Sequence, residues 1–102
     1  MISTNALAEM SYSKEQLNTM ISRGEYPEQG IVNKTQTNTI TFYKCKTAVE
    51  KVMVQLRGAY PVETIVDTNA IYMVKAWTND GAITATCSQL DRKMIITQAS
   101  YK

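Results

Sequence analysis

The residues best equipped for covalent chemistry in this chain are its two cysteines. Cys45 lies inside TFYKCKTAVEKVMVQLRG, residues 41–58, and Cys87 closes the run AITATC. A thiol acts as a nucleophile or metal ligand only as the thiolate, and Lys44 and Lys46 beside Cys45 would favour that form. The remaining partners for such chemistry are missing. Histidine is absent from the sequence, which removes Cys-His and Ser-His nucleophile pairs and every imidazole-ligated metal. Two cysteines 42 positions apart make neither a Cys-x-x-Cys redox pair nor the four ligands of a zinc site. No metal and no cofactor are expected. Three readings of the sulfurs stay open: a Cys45–Cys87 disulfide, two separately buried free thiols, and a reactive Cys45.

The carboxylates offer less. Asp67, Asp80 and Asp91 fall in segments that read as turns, where a short acidic side chain caps the backbone, and Glu50 sits in a helical stretch. No two share an element at a spacing suited to paired acid and base work. The chain is therefore expected to be non-enzymatic, with thiol-dependent activity at Cys45 ranked below the binding readings.

Charge points the same way. Eleven basic residues against nine acidic leave a formal net charge of +2, and the basic residues are scattered. Lys75 between Met73 and Trp77, with Arg92 and Lys93 further on, has the ingredients of a stacking-and-charge platform for nucleic acid. Rings and cations are too few to make it the leading reading, so a nucleic-acid-associated cytoplasmic protein stands as the alternative.

The elements that must position these groups are marked by short local signals. Ser13 and Gln16 form a capping-box pair, with Tyr12 and Leu17 placed as a hydrophobic staple, and Gly24 is a stop; a short helix is predicted over 14–23. EYPEQG connects it to a β-branched, alternately polar stretch, 31–40, that reads as a modestly buried or edge strand. From about 43 to 58, Phe42, Cys45, Val49, Val52, Met53 and Leu56 fall on one helical stripe, and Gly58 ends it. Strands are expected at 62–66, 70–78, 82–87 and 93–101, with Asn79-Asp80-Gly81 as a hairpin turn in which glycine supplies positive φ. The order α-β-α-β-β-β-β predicts an α+β fold: a largely antiparallel sheet of four to five strands against one long helix, with the short helix at the N-terminus. Residues 1–12 are expected to be a flexible segment and 13–102 a single domain.

Strand 70–78 carries bulk on both faces: Ile71, Met73 and Trp77 on one, Tyr72, Val74 and Ala76 on the other. Either the N-terminal helix covers the second face, or Met73, Lys75, Trp77, Met94 and Ile96 form an exposed patch for a protein partner or a second copy of the chain. No apolar run reaches the length of a membrane span, so a soluble chain is expected. Ala6-Leu7-Ala8 has the form of a signal-cleavage site, though no apolar segment precedes it within the sequence. With a disulfide in view, an exported, periplasmic or secreted protein is slightly favoured over a cytoplasmic one.

Overall fold

The computed structural model describes residues 11–102, which leaves Ala6-Leu7-Ala8 and most of the expected flexible segment outside it. Helix α1 (Lys14–Ser22) starts where the sequence signals place it. Ser13 Oγ accepts the Gln16 N–H at 3.0 Å and Gln16 Oε1 accepts the Ser13 N–H at 2.8 Å, so two amides left free by helix geometry are satisfied reciprocally. The helix ends in a Schellman turn: the Gly24 N–H reaches the Ile21 carbonyl, the Glu25 N–H reaches that of Met20, and Gly24 sits at φ +75.

Strand β1 (Gln29–Thr39) leads through Ile40 and the N-cap Thr41 into helix α2 (Phe42–Arg57), and β2 (Val62–Asp67), β3 (Ile71–Thr78), β4 (Gly81–Ser88) and β5 (Lys93–Tyr101) follow. The five strands form one sheet in the order β1-β5-β4-β3-β2, and every neighbouring pair is antiparallel. The fold is α+β, with the predicted order of elements. Strands β2 to β5 are a meander. β1 is set apart because α2 carries the chain from one edge of the sheet to the other.

α2 lies on one face. Cys45, Val49 and Met53 pack on Tyr72, Val74, Ala76, Ala85 and Cys87, and Phe42, Leu56, Met94 and Ile96 close the rim. Fully burying side chains of this size contributes roughly 1.5–3 kcal/mol each, which holds the helix down. Val52, expected on the buried stripe, is 55% exposed. It lies at the margin of the apolar arc.

The opposite face carries a second, smaller cluster. Leu17 from α1 meets Trp77, Ala82 and Tyr101, with Tyr12, Ile21 and Tyr60 around them. Both faces of the sheet are thus partly covered, which explains the bulk on both sides of β3.

The Asn79-Asp80 turn joins Thr78 to Gly81 directly, as the hairpin signal required. Gly81, however, is not at positive φ. It is glycine because β5 passes close: a Cβ there would lie 2.5 Å from the Ala99 carbonyl oxygen.

Candidate interaction face

The two cysteines come together. Cys45 on α2 and Cys87 on β4 form a disulfide with their Cα atoms 5.8 Å apart, and neither residue has accessible surface. Alternation brings this about: Cys87 points to the same side of β4 as Ala85, beneath the helix stripe that holds Cys45. Bonded and enclosed, the sulfurs carry no thiolate, so in this state the site crosslinks and does not react.

Side chains on the face opposite α2 fall into rows set by the strand registers. One row runs Val66, Met73, Thr86, Ile95, Thr37, and the next runs Glu63, Lys75, Thr84, Thr97, Thr35. A third row, Trp77, Ala82, Ala99 and Val32, lies toward the end of the sheet that α1 covers. Met73, Lys75, Thr84, Thr86, Ile95 and Thr97 are each half-buried. Among the described residues, only the Trp77 row has a helix packed upon it.

The five expected patch residues therefore separate. Met73 and Lys75 do lie on this face. Trp77 does not belong to an exposed patch: it is 2% exposed, covered by α1 and by Tyr26, whose ring centroid is 5.3 Å away. Met94 and Ile96 are on the other side of the sheet, opposite Cys87 and Ala85, packed into the α2 core. The sequence gives each strand its two-residue period but not the phase between strands, and Ile95, one residue off, is the side chain that belongs to the face. Thr84, Thr86 and Thr97 were missed because threonine in a strand reads as generic β propensity; only the register lines them up.

Lys75 is the one cation within these rows. Its Nζ donates to Gln29 Oε1 at 3.0 Å and stands 5.4 Å from the Trp77 ring centroid. Partial burial lowers its pKa below the ordinary lysine value, since desolvation disfavours the ammonium. Glu63, opposite Lys75 in register, instead accepts the Tyr26 hydroxyl at 3.1 and 3.0 Å on its two oxygens. That hydrogen bond, reinforced by desolvation, raises the Tyr26 pKa. Trp77, the ring around which the sequence suggests a nucleic-acid platform, is covered, and the ring exposed above it is Tyr26.

The remaining polar groups near the α2 core hold the structure together. Tyr72 donates to Glu50, and Lys46 lies 3.7 Å from Asp67 at the exposed margin. The described residues contain no cluster of three or more potential metal ligands, and no described helix is long and apolar enough to cross a membrane. Comparison with known proteins gives no match: no family model, no curated protein and no solved structure matches this chain.

Proposed function

We propose that this chain is a non-enzymatic binding domain that takes a protein partner on the two rows Met73-Thr86-Ile95 and Lys75-Thr84-Thr97. The observation that carries the reading is the chemistry of those rows, which no helix covers among the described residues. At about 4.8 Å per strand, a thioether and an aliphatic side chain flank a hydroxyl in the first row and an ammonium stands beside two hydroxyls in the second, on a sheet braced from behind by α2 and its disulfide. Such a surface can bury apolar area while pairing polar groups, as the centre of a protein interface requires. Titratable groups near the core support a binding role over a catalytic one, because Glu50 and Glu63 are each engaged by a tyrosine hydroxyl.

The disulfide supports an oxidising compartment, periplasmic or extracellular, since a buried crosslink of this kind persists where thiols are not kept reduced.

A photo-crosslinking side chain placed at position 86 in the native host, compared with one at Lys51 on the outer side of α2, tests the reading. One discrete protein adduct from position 86 and none from 51, lost on adding Ile95→Arg, is the expected outcome. Equal labelling at both positions, or none at either, overturns it.

A further inference from the structure

The sheet has two edges, and they are built differently. β2 is six residues long with a register break between Thr64 and Val66, the usual way to make an edge a poor template. β1 has eleven residues, and from Ile31 to Thr39 all are exposed. Its first half is protected by two register shifts, between Gln29 and Val32 and between Val32 and Lys34, and by the charge of Lys34. Its second half, Thr35-Gln36-Thr37-Asn38-Thr39, has no charge, no proline and no bulge.

The hydrogen-bond phase of this half follows from one contact. The Ile40 N–H donates to the Arg92 carbonyl at 3.0 Å, in the same register as Thr39 opposite Lys93. In an antiparallel pair, residues alternate between those that exchange bonds with the neighbour and those that face away. Asn38 and Gln36 thus bond to β5. Thr35, Thr37 and Thr39 direct their N–H and C=O groups out of the sheet.

We propose that this edge pairs with the β1 edge of a second copy of the chain, antiparallel, about a two-fold axis at Thr37. The strand is complementary to itself. With Thr37 opposite Thr37, Thr35 meets Thr39, and about six backbone hydrogen bonds form between outward-facing groups. Threonines oppose threonines on one face, a favourable cross-strand pair, and Gln36 opposes Asn38 on the other. Lys34 falls opposite Ile40 and not opposite its own copy, so no like charges meet. A net charge of only +2 leaves little long-range repulsion between copies. The product is a continuous ten-stranded sheet with both α2 helices on one side. The pairing uses backbone at the edge and does not rest on the partner-binding rows.

Sedimentation equilibrium of the oxidised chain from about 1 µM to about 1 mM tests this, with the expected result a monomer–dimer equilibrium in that range. Thr37→Pro removes an N–H that points outward and so spares the β5 ladder. It raises the dimer dissociation constant about thirtyfold through loss of two hydrogen bonds across the axis. Thr37→Lys, which places two like charges against each other without touching the backbone, raises it about fivefold or more at low salt and less at high salt. This second variant carries the test if the proline variant does not fold. Under mild oxidation Thr37→Cys gives a covalent dimer, whereas in Thr35→Cys the two new sulfurs stand too far apart. Met73→Arg, which disrupts the partner-binding rows with β4 and β5 between it and β1, leaves the dimer intact. A parent that stays monomeric throughout, or a dimer unmoved by both Thr37→Pro and Thr37→Lys, overturns the proposal.

Discussion

Gly81 shows how one residue type can be read correctly as a signal and still be present for another reason. Next to Asn79 and Asp80 it marks the hairpin, but the structure uses its missing side chain, not its backbone freedom, because the Ala99 carbonyl fills the space. Gly81→Ala is expected to cost about 1–3 kcal/mol, seen as a lower urea midpoint with an unchanged slope, because backbone must move to admit the methyl. Among the described residues, the one outside glycine that does adopt positive φ is Arg92, at φ 53 in the β4–β5 turn. Arg92→Gly relieves the strain and should raise stability by about 0.5–1 kcal/mol in the same measurement. Nothing in SQLDRK pointed to that site, since Ser88, Asp91 and the turn length were legible and the backbone angles were not.

Tyr72 and Tyr101 belong to the same scale. Burial first, then the hydrogen bond to Glu50, pushes the Tyr72 pKa up to about 12, and burial raises that of Tyr101 as well. A phenol whose pKa is raised in the folded state keeps its proton longer there than in the unfolded chain. Its stabilising contribution is complete below the ordinary tyrosine pKa of about 10 and is lost as pH rises from there toward 12. Urea midpoints should therefore fall as pH rises above about 10, and Tyr72→Phe should soften the fall. A midpoint that stays level through that window would show that the hydroxyl is not held as described.

Among the elements, α1 was the most legible, because its capping box, staple and stop are all local and each acts within a few residues. α2 was legible in its period and less so at its margin, where Val52 lies outside the contact. Met53 lies at the centre: it is buried on Val74 and its neighbours, and Met53→Ala should cost about 2–5 kcal/mol in urea unfolding, against less than about 0.5 for Val54→Ala on the exposed side. The strands were found by alternation, yet alternation is silent on how strands line up. Met94 and Ile96 were grouped with Met73, although the register puts them beneath α2; of the two readings of the Trp77 side, cover by the N-terminal helix is the one found, and EYPEQG adds Tyr26 across the ring. Pairings between distant segments and the path of a connector are tertiary facts, so the candidate face was legible only in its Met73 and Lys75.

At the scale of the whole molecule, the disulfide joins the helical layer to the sheet. Breaking it with a reductant, or replacing both residues in Cys45→Ala/Cys87→Ala, should cost about 3–4 kcal/mol by releasing a loop of 42 residues in the unfolded chain. The expected reading is a drop in urea midpoint with the helix and strand signals of circular dichroism kept at zero denaturant. That both sulfurs would face the same seam was legible from two periodicities, 3.6 for the helix and 2 for the strand; their bonding depended on the distance between layers, which no pattern supplies.

The path of α2 from one margin of the sheet to the other also sets an assembly sequence. β1 is made early, yet among the described residues its one neighbouring strand is β5, with Thr39 waiting for Lys93. The helix and the β2–β3–β4 meander can associate first, and Cys45 and Cys87 both precede β5 along the chain. Oxidation can then fasten that nucleus before β5 is in place, so β1 has no strand to dock on until the end of the chain is made.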